Sequence, residues 1–119
     1  MATSEELVRN PGIARELTAF QLKILFVLAE EPRYGLAVKR ELQTYYDAEV
    51  NHGRLYPNLN ELIGLGLVEK SELDKRTNEY SLTEEGFQAI LGELDWMAGK
   101  LSSRSAGTGE LETLLSRYA

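Results

Sequence analysis

The stretch from Asn51 to Lys70, NHGRLYPNLNELIGLGLVEK, constrains the fold more than any other part of the chain. Leu55, Leu59, Leu62 and Ile63 fall within about 100° of one another on a helical wheel, so they form a stripe that must face a core. The opposite side carries Gly53, Pro57, Asn60 and Gly64, with Arg54 and Glu61 on one flank and Tyr56 on the other. Gly64-Leu65-Gly66 ends the pattern, because glycine readily takes the left-handed conformation that closes a helix. A strand-like run follows at once. The chain therefore turns directly from a short helix with a slim polar face into a strand.

The elements around this stretch read as follows. Ser4 to Glu16 is expected to form a short helix broken at Pro11-Gly12. Thr18 with Gln21 three residues on makes a capping box, and Leu22, Leu25, Phe26 and Ala29 then recur at helical spacing until Glu30-Glu31-Pro32. YGLAVKRELQTYY predicts a second helix, packing through Leu36, Ala37, Val38 and Leu42. Leu67 to Leu73 and Glu79 to Leu82 read as two strands joined by the polar turn Asp74-Lys75-Arg76-Thr77-Asn78. Thr83 is placed to cap a long final helix. SSRSAGTG has the composition of a flexible linker, and Glu110 to Tyr118 predicts one more short helix. A two-stranded hairpin is marginal alone and must lean on helices. The order implies a mainly α (α+β) winged helix-turn-helix: three helices plus a two-stranded wing, followed by a long C-terminal helix.

Composition narrows the function classes. The 119 residues suit one domain, and no apolar run approaches the roughly 20 residues of a membrane span. MATSEELVRN lacks the basic and apolar regions of a signal peptide, so a cytoplasmic protein is expected, with no membrane partner. No cysteine is present, which removes disulfides, thiolate metal sites and thiol redox sensing. With His52 the single histidine, no metal site or cofactor is expected. His52 also has no carboxylate or nucleophile at a suggestive spacing, so catalysis is not expected and no catalytic residue is assigned. Tyr45, Tyr46 and Trp96 are read as packing residues in preference to an effector pocket. No small-molecule effector is specified, and an oxidant response would have to act through Met97, a bound metal or ligand, or a partner.

Charge bears on the partner. Nineteen acidic residues against thirteen basic ones give −6 and a pI near 4.8. Taken whole, that balance opposes binding to phosphates, so a DNA-binding role must rest on where the cations sit. A helix enters the major groove when its exposed face is slim near its N-terminus and offers donors to phosphates and base edges. Asn51, His52, Gly53, Arg54, Tyr56, Pro57, Asn58 and Asn60 meet that description. Proline is tolerated in a first turn, so the helix is expected to start at Gly53 or Arg54. Lys75, Arg76, Thr77 and Asn78 sit at the hairpin tip, where they could grip the flanking backbone or reach the minor groove.

YGLAVKREL, GRLYPNLNELIGLGLVEK and NEYSLTEEGFQAI together resemble the PadR family of transcriptional regulators, over about Leu17 to Leu101. The match is carried by Leu55, Tyr56, Pro57, Leu59, Leu62, Gly66, Leu67, Val68, Tyr80, Leu82, Thr83 and Gly86. The resemblance implies a homodimer on double-stranded DNA, reading an imperfect palindrome with the third helix. It also implies dimerisation through the last helix, here Phe87, Ile90, Leu91, Leu94, Met97 and Leu101, in a short form of the family, so that residues 1–83 are expected to form the DNA-binding domain and 84–119 the dimerisation helix and tail. With the acidic composition, salt tolerance and a stress-linked role are further expectations. A winged helix used for protein contacts within the transcription machinery is the alternative, favoured by the negative charge alone.

Overall fold

A computed structural model describes residues 16–74, 77–105 and 108–119. The expected helix at Ser4 to Glu16 lies almost wholly outside them. Among the described residues, five helices and a small antiparallel sheet follow in the order α1 (Ala19–Glu30), β1 (Arg33–Tyr34), α2 (Gly35–Tyr46), α3 (His52–Gly64), β2 (Val68–Glu72), β3 (Asn78–Leu82), α4 (Glu84–Ser105) and α5 (Glu110–Ser116). The fold is a winged helix with a small three-stranded sheet.

Helix α1 opens with the capping box anticipated from Thr18 and Gln21. The Gln21 amide donates to the Thr18 hydroxyl at 3.1 Å, and the Thr18 amide donates to Gln21 Oε1 at 3.0 Å. The buried face of α1 is rotated from the expected stripe. Phe20, Gln21, Ile24, Leu25 and Leu28 are covered, whereas Phe26 and Ala29 are exposed. These meet Val38 and Leu42 of α2, Leu55, Leu59 and Leu62 of α3, and Val50, Leu67, Val68, Tyr80, Ala89 and Ile90 in one core. Leu36, expected to pack, is exposed.

The wing has three strands where two were expected, in the order β1-β3-β2. Glu31, extended ahead of Pro32, ends α1, and Arg33 and Tyr34 then pair with Tyr80 and Glu79. Arg33 secures this corner. Its guanidinium meets Glu30 at 2.8 Å, Glu41 at 3.3 Å and Glu31 at 3.8 Å, and its Nε donates to the Val27 carbonyl at the end of α1.

The turn between α3 and β2 forms a Schellman motif. The Leu67 amide donates to the Leu62 carbonyl and the Gly66 amide to that of Ile63, both at 3.0 Å. Gly66, at φ 79°, supplies the left-handed residue, while Gly64 remains helical. Thr83 fastens the start of α4 to the same turn. Its hydroxyl accepts from the Gly86 amide at 3.0 Å and donates to the Gly66 carbonyl at 2.7 Å. Gly86 lies so close to the Leu67 carbonyl and the Leu82 side chain that a Cβ there would overlap both. The Leu-Thr-x-x-Gly spacing thus has a steric cause. Helix α4 continues through Ser102, Ser103, Arg104 and Ser105, so the first half of the expected linker is helical. The continuous helical amides of that last turn outweigh its serine-rich composition.

Candidate nucleic-acid interface

Helix α3 begins one turn-position earlier than expected because Asn51 caps it. Its Oδ1 accepts from the Arg54 amide at 2.9 Å, which makes His52 the first helical residue and leaves Pro57 in the second turn. Proline at that position removes the amide that would reach the Gly53 carbonyl. Gly53 and Pro57 are both exposed, so the freed carbonyl faces the solvent side, where water can satisfy it. Leu55, Leu59 and Leu62 are fully buried beneath. Asn51, His52, Gly53, Arg54, Pro57 and Asn60 all remain exposed on the outer face.

Three contacts order this outer face. The Arg54 guanidinium lies over the Phe20 ring, 3.9 Å from its centroid, with Tyr46 at 5.9 Å. His52 and Tyr56 stack one turn apart, with centroids 5.4 Å apart and planes inclined by 10°. Asn58 donates to the Arg54 carbonyl at 2.7 Å and accepts from Gln21 Nε2 at 3.0 Å. Gln21 is the buried polar side chain of the core, so this bond ties the cap of α1 to the first turns of α3. Phe20, Gln21 and Tyr46 were not among the expected site residues. Gln21 carried a signal, since it lies on the same helical face as Ile24, Leu25 and Leu28.

Tyr56 leaves the outer face and leans toward the wing. It shares an open cleft with Tyr34, Gly35, Leu36, Thr77, Asn78 and Tyr80. The cleft brings together the start of α2, one flank of α3 and strand β3 with the end of the hairpin turn. Its Tyr56 hydroxyl occupies the space a Cβ at Gly35 would need. Thr77 and Asn78 are half-buried against it: Asn78 begins β3 and pairs with Glu72, while Thr77 closes the hairpin turn, its carbonyl accepting from the Leu73 amide. Burial pushes the Tyr80 hydroxyl above the usual tyrosine range, with Tyr56 adding to the effect and a hydrogen bond with Asn78 opposing it. Lys75 and Arg76 lie outside the described residues.

The proposed dimerisation residues divide into two groups. Ile90 is 3% exposed and belongs to the chain's own core, as does Ala89. Phe87, Leu91, Leu94, Met97 and Leu101 instead form an exposed apolar stripe along α4. The short helix α5 carries exposed Leu114 and Leu115, and Tyr118 just beyond it is exposed as well. Tyr46 stacks on Phe20 and meets Tyr45 edge-on, while Trp96 lies on α4 under Lys100, so these aromatic rings do not share a pocket. Among the described residues no group of histidines and carboxylates could hold a metal ion, and no helix is long and apolar enough to cross a membrane.

The geometry has counterparts among known proteins. A structure of RosR of Halobacterium salinarum is 60% identical over 87% of this chain and 93% of that one, with a TM-score of 0.82. RosR from the same organism, crystallised from sodium bromide, matches at 60% identity over 87% and 94%, with a TM-score of 0.81. A PadR-like transcription factor from Bacteroides fragilis is 22% identical over 83% of this chain and 95% of that one, with a TM-score of 0.60, which supports the fold alone. A search among curated proteins gave no match. The model of the transcriptional regulator PadR-like family matches residues 24–91, from the middle of α1 through the wing into α4. On these grounds the chain belongs to the PadR-like family and is a DNA-binding transcriptional regulator of the winged-helix type.

Proposed function

We propose that the chain acts as a sequence-specific homodimer, with two copies of α3 entering the major groove at the half-sites of a palindromic operator. The observation that carries this reading is the outer face of α3. Asn51, His52, Gly53, Arg54, Pro57 and Asn60 are exposed to solvent while the opposite face of the helix is anchored in the core. Small residues at Gly53 and Pro57 keep the face slim enough for a groove, and Asn60 and Arg54 offer donors to base edges. Lys75 and Arg76 add cations between β2 and β3, where a wing meets the flanking backbone.

Dimerisation through α4 completes the reading. Phe87, Leu91, Leu94, Met97 and Leu101 repeat along one side of a helix, and water-facing apolar stripes of this kind mark contact surfaces. A two-fold pairing of the same stripe would place the two α3 helices at symmetric half-sites. Residues 1–83 then supply DNA contacts and 84–119 supply the dimer contact. The net charge of −6 limits the number of phosphates neutralised, so binding depends on local contacts and DNA shape and persists at high salt.

The test is selection of bound duplexes from random DNA by purified protein, in molar potassium chloride and again at moderate salt. An enriched palindrome at both salts is the expected result. No enrichment at either salt, from protein that is folded and dimeric by sedimentation, would move the winged helix to a protein-contact role.

A further inference from the structure

Arg54 is the cation of α3, and its resting position is unusual for an acidic protein. Its guanidinium has no carboxylate partner among the described residues. It rests instead on Phe20 from α1, at 3.9 Å, with Tyr46 from the end of α2 at 5.9 Å. Phe20 and Tyr46 are themselves stacked, with centroids 6.0 Å apart, and Tyr45 braces Tyr46 edge-on at 5.0 Å. The three helices of the winged helix thus meet in an aromatic pedestal under one arginine. Arg33 on the same scaffold shows the other arrangement, engaged by Glu30, Glu31 and Glu41.

We infer that Phe20 and Tyr46 are positioning residues for DNA binding, which hold the Arg54 guanidinium pre-ordered for the groove. The inference rests on the DNA-reading role proposed above for α3. Two physical arguments support it. A free arginine loses considerable rotamer freedom when it docks, and a side chain already ordered on a ring loses less on binding. A ring also takes the guanidinium by its face and leaves the in-plane N–H donors directed outward, whereas a carboxylate would occupy those donors and would have to be displaced by DNA. The ring contact operates at van der Waals range, inside the Debye length of about 8 Å at physiological ionic strength. Asn58, bonded to both the Arg54 carbonyl and Gln21, fixes the backbone beneath the same side chain.

The test is a double-mutant cycle on the full chain, titrated with a duplex recovered by the selection and with a mixed-sequence duplex. The variants are Arg54→Ala, Phe20→Leu, Tyr46→Leu and Tyr46→Phe, each checked by thermal melting, together with the doubles carrying Arg54→Ala. Phe20→Leu and Tyr46→Leu are expected to weaken binding about two- to fivefold, Tyr46→Phe to restore it, and neither leucine variant to have any further effect once Arg54 is alanine. A merely structural role would weaken both backgrounds equally, and that result would overturn the inference. Tighter binding by the leucine variants would also overturn it, since the rings would then be sequestering Arg54. If Arg54→Ala weakens binding and the leucine variants do not, the pedestal fails while the role of α3 stands. If Arg54→Ala binds as the parent does, the reading of α3 fails and the pedestal with it. Nuclear magnetic resonance of the DNA-free parent gives a readout independent of any variant's folding. The Arg54 side-chain NεH signal should be displaced by the Phe20 ring current, and a signal at the free-arginine position would rule the pedestal out.

Discussion

Helices α3 and α4 each bury one side in the same core and leave the other open, but they leave opposite chemistry uncovered. The open side of α3 is polar and small, with glycine, proline, asparagine and a single arginine. The open side of α4 is apolar over much of its length, from Phe87 to Leu101. Water satisfies the first without any partner, so that face is free to be shaped for a ligand carrying hydrogen-bonding edges. Water does not satisfy the second, and roughly 25 cal/mol is forgone for each square ångström left wet. One surface suits a reversible partner, the other a lasting one.

Placing a charge on the stripe of α4 should have the largest effect. Leu94→Glu should convert a dimer to a monomer by sedimentation while leaving the circular dichroism spectrum intact, because Leu94 is exposed in the protomer. With only one α3 engaged at a time, affinity for a two-half-site duplex should fall about a hundredfold. A variant that remains dimeric would move the lasting interface away from this stripe. The root of α4 should behave differently. Gly86→Ala forces a methyl group against the Leu67 carbonyl and should cost about 2–3 kcal/mol in denaturant unfolding. Unchanged stability would mean that the turn beneath α4 yields easily.

The polar helix offers smaller effects. Asn51 lies on the candidate DNA face and also caps α3, so Asn51→Ala should lower stability by about 1 kcal/mol in the absence of DNA. A stability unchanged by that substitution would leave Asn51 as a surface group alone. The smallest effect concerns Tyr80. Its folded pKa is raised, so the neutral phenol is favoured in the folded state. The associated stability is fully present below the unfolded value near 10 and is lost as pH rises through the folded value. Urea midpoints should therefore fall above about pH 10, and less steeply in Tyr80→Phe.

The parts of this architecture readable in the sequence are those with local causes. Thr18 and Gln21 announced the start of α1 through a capping box, and Gly66, Thr83 and Gly86 marked turns whose stereochemistry permits few alternatives. The extra strand Arg33–Tyr34 was hidden because two residues cannot display an alternation, and its pairing depends on Glu79 and Tyr80 far along the chain. The serine-rich end of α4 resembled a linker because composition carries no record of a helix already propagating into it. Within the candidate site, the exposure of His52, Gly53, Arg54, Pro57 and Asn60 followed from the helical wheel. The contacts beneath them did not. Phe20, Gln21 and Tyr46 reach α3 from other helices, and no spacing within α3 reports on them.

The turn at Gly66 and Leu67 has a mechanical consequence. It closes α3, begins the wing and accepts hydrogen bonds from Thr83, whose hydroxyl bonds to the Gly66 carbonyl and whose amide bonds to that of Leu67. The two helices therefore share a hinge pin and lack the slack of a tether. In the proposed dimer, any swing of α4 about its twin would sweep the far end of α3 through an arc. The pitch between half-sites would then be set by the angle at which two α4 helices cross, and a small change in that angle would retune which operators fit.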